Sequence, residues 1–185
     1  MSDIDINKLL EERPTKDTYY LTLAFVAAQR SFDPSSKCGC IIVSKCGRVL
    51  STGYNGPLKG SDDTKIPLTR PEKYYHMLHS EENALLAYDG SAEDIRSATA
   101  YVTGRPCHKC LRMLIQKGII RIVYGKNNTL VIDQADFDAQ TLMLEYCQGI
   151  EMVEMDTNDD VQSLLNTTDK YIGIKNKMEK NYKDK

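Results

Sequence analysis

Apolar positions recur along this chain with two periods. From Lys16 to Arg30, residues Tyr20, Leu21, Leu23, Ala24, Ala27 and Ala28 fall at helical spacing, with Asp17 or Thr18 placed near the N-cap, and the pattern stops before Asp33-Pro34. Gly39 to Ser44 and Val49 to Tyr54 are apolar or β-branched, and the turn residues Lys45 to Arg48, with Gly47, predict a hairpin between them. After Asn55-Gly56-Pro57, a polar stretch containing Gly60, Pro67 and Pro71 runs through Tyr75; it is too long for an ordinary connection and reads as a functional loop. Helical spacing returns from Ser80 to Tyr88, with Ser80 as the cap and Glu81 and Glu82 in the first turn. Ala98 to Thr103 reads as a strand, His108 to Lys117 as a helix closed by Gly118, and Ile119 to Tyr124 as a second strand, a β-α-β unit. Asp136 to Cys147, with Leu142, Leu144 and Tyr146, predicts another helix, and Ile150 to Met155 a short last strand.

Helices alternating with strands around one sheet predict the α/β class, as a three-layer α/β/α sandwich. The main domain spans 16–155, preceded by a polar lead-in over 1–15 whose Leu9-Leu10 pair packs on the core. Residues 156–185 hold an amphipathic helix from Val161 to Tyr171 and a lysine-rich tail from Lys175, read as a solvated terminus. At 185 residues one domain is expected, large enough to bury a substantial core.

Lys plus Arg number 24 against 26 Asp plus Glu, so a net charge of -2 offers no general field for a nucleic-acid backbone, and no nucleic-acid partner is expected. The N-terminus lacks a basic segment followed by an apolar run, and no apolar stretch is long enough for a membrane span, which predicts a cytoplasmic protein without a membrane partner. In that setting the six cysteines (38, 40, 46, 107, 110 and 147) are thiols or metal ligands rather than disulfides.

Two motifs carry chemistry: His79-Ser80-Glu81 and Pro106-Cys107-His108-Lys109-Cys110, each at the start of a predicted helix. Cysteines three residues apart share one helical face, and a helix N-terminus favours the thiolate. With His79 from a neighbouring helix, Cys107 and Cys110 can hold Zn2+ by three ligands, leaving the fourth tetrahedral position for water. Glu81 is then placed to move the proton which that water must lose. Alone, Cys-x-x-Cys also fits a redox pair or half of a closed structural zinc site, His79 an ordinary polar contact, and Glu81 a first-turn carboxylate. The ordered set is the signature of the zinc-dependent nucleobase deaminases and favours an open catalytic site. Cys38, Cys40, Cys46 and His76 offer a second metal site, but Cys38 to Ile42 also fits a strand in which cysteine packs as a small hydrophobe, and packing is the expectation. Cys147 is expected in the core and His108 at the surface.

Beyond these motifs the chain resembles the deoxycytidylate (dCMP) deaminases, within the cytidine deaminase superfamily. Tyr19-Tyr20 through Ala27-Ala28-Gln29-Arg30-Ser31 and Asp33-Pro34-Ser35-Ser36-Lys37 resemble that family's first helix and following loop. Gly39 to Val43 is similar to its first strand, Gly53-Tyr54-Asn55-Gly56-Pro57 to its Gly-Tyr-Asn-Gly segment, and His79-Ser80-Glu81-Glu82-Asn83-Ala84 to its zinc helix, where alanine rather than Ser80 is usual. Tyr101-Val102-Thr103, the cysteine motif and Ile115-Gln116-Lys117-Gly118-Ile119 extend the match to about residue 125.

The resemblance implies a mixed five-stranded central sheet of the cytidine deaminase-like fold and hydrolysis of dCMP to dUMP and ammonia, feeding thymidylate synthesis. It implies one catalytic Zn2+ on His79, Cys107 and Cys110, with Glu81 as base and then acid while water adds at cytosine C4. Asn55 matches the asparagine that bonds the sugar hydroxyl, although Asn-Gly is also an ordinary turn pair, and Arg30, Ser31 and Ser35, beside Asp33, flank a loop that meets the substrate. The family's tyrosine near the substrate phosphate is replaced here by Asn128 and Thr129, leaving Lys126 and Arg105 as candidate substitutes. The resemblance further implies a homo-hexamer activated by dCTP and inhibited by dTTP, with Mg2+ accompanying the triphosphate, at a site including Gly53, Tyr54 and Gly56. Alternatives are deamination of cytidine, of modified dCMP, of tRNA adenosine or in riboflavin synthesis, and a zinc-stabilised binding module without turnover. The acidic balance argues against tRNA.

Overall fold

The computed structural model describes residues 5–11, 13–126, 132–157 and 161–165, with the side chains of residues 8 and 9 outside the description. The elements in chain order are α1 (Ile6–Glu11), α2 (Lys16–Ala28), β1 (Gly39–Val43), β2 (Val49–Tyr54), β3 (Gly56–Pro57), β4 (Met77–Leu78), α3 (Ser80–Leu86), α4 (Ala92–Ile95), β5 (Thr99–Val102), α5 (His108–Gln116), β6 (Arg121–Gly125), α6 (Gln134–Tyr146) and β7 (Glu151–Met155), with 3-10 turns at Asp63–Lys65 and Glu72–Tyr75. Five strands form one mixed sheet in the order β2-β1-β5-β6-β7; β1 is antiparallel to β2 and β5, and β6 is parallel to β5 and β7.

Alternation along the central strands divides the core into two layers. Cys40, Ile42, Ala100, Val102, Ile122 and Tyr124 face α3 and α5, with Ala84, Leu85, Leu111 and Leu114 packed on them. Ile41, Val43, Tyr101 and Val123 face α2, meeting Tyr20, Leu21 and Ala24. The expected three-layer arrangement around a mixed five-stranded sheet is therefore present.

Two glycines let the helices lie against the sheet. A Cβ on Gly39 would fall 2.0 Å from the Ala24 carbonyl oxygen in α2, and one on Gly53 would fall 2.2 Å from the Ser80 oxygen and 2.3 Å from the Ala84 nitrogen in α3. Polar bonds then fix α3 on β2: Ser51 Oγ donates to Ala84 O at 2.8 Å and Asn83 Nδ2 to Tyr54 O at 2.7 Å. Helix α5 exits through Gly118 at φ 89°, with Gly118 N donating to Ile115 O and Ile119 N to Leu114 O, so the terminal carbonyls are satisfied.

Several boundaries differ from the sequence reading. The lead-in contains α1, and Leu10 is exposed rather than packed on the core, since α1 is a single short turn pair with no layer above it; the side chain of Leu9 lies outside the described residues. Helix α2 is capped by Thr15, whose hydroxyl accepts from Thr18 N, because Asp17 is engaged elsewhere with Arg121 and Tyr101. On α6, Leu142 and Tyr146 point to solvent while Met143 and Leu144 pack on the core and Gln140 is fully buried, so the inward face is one residue out of step with the apolar pattern. Cys147, the C-cap of α6, is half-buried rather than core. Of the C-terminal helix only 161–165 are described, as helix, with Val161 in the α2-side core; the remainder of Val161–Tyr171, the tail from Lys175, and Asn128 and Thr129 lie outside the described residues.

Candidate active site

At one end of the sheet, β2 finishes at Tyr54 opposite Gly39, where β1 starts, and β5 finishes beside it, with Thr103 N donating to Gly39 O. Helices α3 and α5 both begin there, the arrangement in which open α/β sheets hold ligands. The two helix starts share a feature that spacing alone did not reveal. His79 is the N-cap of α3 and Cys107 the N-cap of α5, both with extended backbone, and neither side chain caps its own helix. Ser80, expected as the cap of α3, is the first helical residue, and its hydroxyl is turned instead to Glu81. For α5 the cap comes from outside: Asp136 Oδ1 of α6 accepts from His108 N at 2.6 Å and also meets His108 Nδ1. Gln140 Nε2 donates to Pro106 O at 2.9 Å, locking the residue before Cys107. His108 is consequently only part-exposed.

His79, Cys107 and Cys110 present ligand atoms that all lie within 4.8 Å of one another, the one such group among the described residues. His79 Nδ1 is 3.6 Å from Cys107 Sγ and 3.4 Å from Cys110 Sγ. Tetrahedral zinc, with Zn–S near 2.3 Å and Zn–N near 2.05 Å, requires an S to N separation of about 3.6 Å. Without a metal these groups divide protons among themselves. A hydrogen bond from Cys110, aided by His79, holds Cys107 down to about 4. The same bond, with burial, pushes Cys110 up, while the contact with Cys107 lifts His79 to about 9. A thiolate against an imidazolium is a cluster in which a zinc ion can replace shared protons, so the donor set fits the metal. The alternative second cluster does not assemble: Cys40 is buried in the core, Cys46 is exposed in the hairpin turn, and Cys38 is half-buried at the site itself.

His79 and Cys107 of the triad line a cavity of about 430 Å³, an ordinary size for a small-ligand site. Its walls include His79, Glu81, Cys107, Asn55, Cys38 and Thr103, together with Arg70, Lys73, Tyr74, Asp133 and Asp136. Glu81 is 5% exposed, and burial lifts its pKa, opposed by the hydrogen bond from Ser80 Oγ at 2.8 Å. Cys38 remains a neutral thiol, pushed up to about 12 by burial and by the charges of Glu81 and Asp33.

Asn55 reaches the cavity, and its amide also organises the wall: Oδ1 accepts from Cys38 N at 2.7 Å and Nδ2 donates to Ser36 O at 2.9 Å. Arg30, Ser31 and Ser35 are not among the lining residues. Arg30 and Ser35 are exposed, and Ser31 is buried with its hydroxyl accepting from Asp33 N, so Ser31 and Ser35 take part in the turn around Asp33. Gly53, Tyr54 and Gly56 lie outside the cavity, and Gly53 is buried under α3. Sequence reasoning missed Lys73, whose Nζ bonds both oxygens of Asp33 at 3.1 and 2.9 Å in a buried pair. It also missed Arg70. No composition signal marks either residue; the unusual length of the loop was the only pointer.

A family model for the cytidine and deoxycytidylate deaminase zinc-binding region matches residues 14–126. The chain belongs to the cytidine and deoxycytidylate deaminase family. It is thus a zinc-dependent deaminase, a hydrolase, and its His-Cys-Cys group could hold a metal ion. Deoxycytidylate deaminase of Mus musculus is 33% identical over 130 residues, 67% of this chain and 71% of that protein. Deoxycytidylate deaminase of Mycobacterium phage D29 is 38% identical over 133 residues, 63% of this chain and 98% of the relative. Among solved structures, apo dCMP deaminase from the cyanophage S-TIM5 aligns with a TM-score of 0.57 at 26% identity, covering 77% of this chain and 99% of the other. The same phage enzyme in complex with dCMP and dUMP shares the fold at 24% identity, a TM-score of 0.57, and coverage of 83% of this chain and 100% of the other. Among the described residues, no helix is long and apolar enough to cross a membrane.

Proposed function

We propose that this deaminase hydrolyses dCMP to dUMP and ammonia, supplying dUMP for thymidylate synthesis. The observation that carries the reading is the convergence of His79, Cys107 and Cys110 beside buried Glu81 at one cavity. The names of its relatives support the choice of deoxycytidylate as substrate.

His79, Cys107 and Cys110 would hold a zinc ion, which would supply the Lewis acidity that activates water near neutral pH. Glu81 takes one proton from the attacking water as the oxygen bonds to cytosine C4 and passes it to ring N3, then takes the second from the new C4 hydroxyl and passes it to the departing amine as the C4–N bond breaks and the C4 carbonyl forms. Burial, by lifting the Glu81 pKa, suits one carboxyl to act as base and then as acid. Asn55 Oδ1 retains a lone pair for the sugar hydroxyl. Ser80 steadies Glu81.

Activation by dCTP and inhibition by dTTP, with Mg2+ on the triphosphate, and assembly as a homo-hexamer complete the proposal. Tyr54, half-buried at the end of β2, is the member of the Gly53-Tyr54-Asn55-Gly56 segment best able to meet an effector with its side chain. Sigmoidal dCMP kinetics that become hyperbolic with dCTP are expected, and curves unchanged by either triphosphate remove this half of the proposal.

The direct test is ammonia release by the zinc-loaded protein from dCMP, dCTP, cytidine and tRNA. The highest kcat/KM is expected on dCMP. A higher value on cytidine or tRNA overturns the substrate assignment.

A further inference from the structure

The cavity is lined by charge of both signs, with Asp33, Asp133 and Asp136 among its acidic residues, so the anionic end of a substrate needs a cation that none of these carboxylates already occupies. Three cationic side chains outside the zinc triad line it, and they differ in what they have left to give. Lys73 is neutralised by Asp33, with both side chains almost wholly buried. Arg105 is fixed in place: Nε donates to Gln140 Oε1 at 2.9 Å, Nη1 to Tyr124 Oη at 3.0 Å, and its guanidinium lies over Phe137 and Tyr124. Arg70 is exposed and lies over the ring of Tyr74, 5.7 Å from the guanidinium carbon to the ring centroid. That contact leaves its N–H fork available, the group best matched to a phosphate. Lys126, the other candidate from sequence, is outside the lining.

We infer that Arg70, braced on Tyr74, grips the 5′-phosphate of the substrate and makes the enzyme prefer a nucleoside monophosphate over the nucleoside. The inference rests on the reading of this site as a cytosine nucleotide deaminase. Asn55 Nδ2 meets Asp33, Asp33 pairs with Lys73, and Lys73 and Arg70 both lie against the Tyr74 ring, a continuous run of contacts that suits base at the zinc triad, sugar at Asn55 and phosphate at Arg70.

The test compares kcat and KM for dCMP and deoxycytidine in the wild type, Arg70→Ala and Arg70→Lys. In Arg70→Ala the ratio of kcat/KM for dCMP to that for deoxycytidine is expected to fall roughly 10- to 100-fold, the range for one lost charge-assisted contact, through a raised KM for dCMP. Arg70→Lys restores part of it. If deoxycytidine turnover is too slow to follow, calorimetric affinity for dCMP is measured in the Glu81→Gln background, where adding Arg70→Ala weakens binding by the same factor. An unchanged ratio, an equal loss on both substrates, or unchanged dCMP affinity overturns the assignment of Arg70. Failure of the wild type to deaminate dCMP instead overturns the substrate reading.

Discussion

Lys73 directs its ammonium at both carboxylate oxygens of Asp33, 2.9 and 3.1 Å away, and joins the long loop before α3 to the turn before β1. Burial alone would raise the Asp33 pKa, but the bonds from Lys73 and from the backbone N–H groups of Ser35 and Ser36 hold it below the usual carboxylate range. Lys73→Met should therefore cost about 3–5 kcal/mol in urea unfolding at pH 7, as expected when one partner of a buried pair is removed. Lys73→Met with Asp33→Asn should recover most of that. A folded-state pKa below the unfolded value gives stability that is complete above roughly pH 4 and lost as pH falls through the depressed value. The deficit of Lys73→Met against wild type should accordingly narrow at pH 3, and a deficit independent of pH would show that the charge of Asp33 is not what Lys73 serves.

Glu81→Gln keeps the shape of the side chain and its bond with Ser80 but cannot carry a proton. Zinc content should stay at wild-type level while ammonia release falls on the order of 10²- to 10⁴-fold, the usual contribution of a positioned acid–base group. Retention of a substantial rate with dCMP would remove Glu81 from the proton path.

His79 and Cys107 occupy the N-cap positions of different helices, so an ion held by both would fasten α3 to α5. Chelation should abolish activity and lower the Tm, and added zinc should restore both; a ligand at a thousand times its Kd adds about 4 kcal/mol. Cys107→Ser should lose the zinc-dependent rise in Tm. An equal rise in that variant would place the stabilising ion elsewhere.

Gly53→Ala drives a methyl into the backbone of α3 at Ser80 and Ala84. A loss of about 1–3 kcal/mol is expected from overpacking, together with a fall in kcat, because α3 carries His79 and Glu81. Gly60→Ala meets nothing within 4 Å and should leave kcat/KM intact, at a modest stability cost from its positive φ of 85°. Full activity in Gly53→Ala would show that α3 can shift without disturbing the chemistry.

The zinc triad and Glu81 were legible because metal chemistry restricts residue type and helix geometry restricts spacing. The central strands were legible because β1, β5 and β6 are packed on both faces and so read as continuous apolar runs. Local chemistry was harder to read wherever a side chain had several outlets. Ser80 and Asp17 both looked like caps, yet Ser80 bonds Glu81 and Asp17 bonds Arg121 at 2.8 Å through both oxygens, leaving the cap of α2 to Thr15. Ser31 and Ser35 take part in the turn around Asp33, a role that composition does not separate from ligand binding because both draw on the same hydroxyls. The Asp33–Lys73 pair spans 40 residues, and nothing in either local sequence announces the other.

Strand β7 runs parallel to β6, so the chain cannot turn back by a short hairpin and has to cross the sheet between Gly125 and Glu151. Helix α6 makes that crossing and starts at the zinc end, where Asp136 caps α5 and Gln140 holds Pro106. With an antiparallel β7, a few residues would have closed the gap and no such helix would bring Asp133 and Asp136 to the cavity. The direction of an edge strand that touches neither metal nor cavity thus decides which side chains set the angle of Cys107.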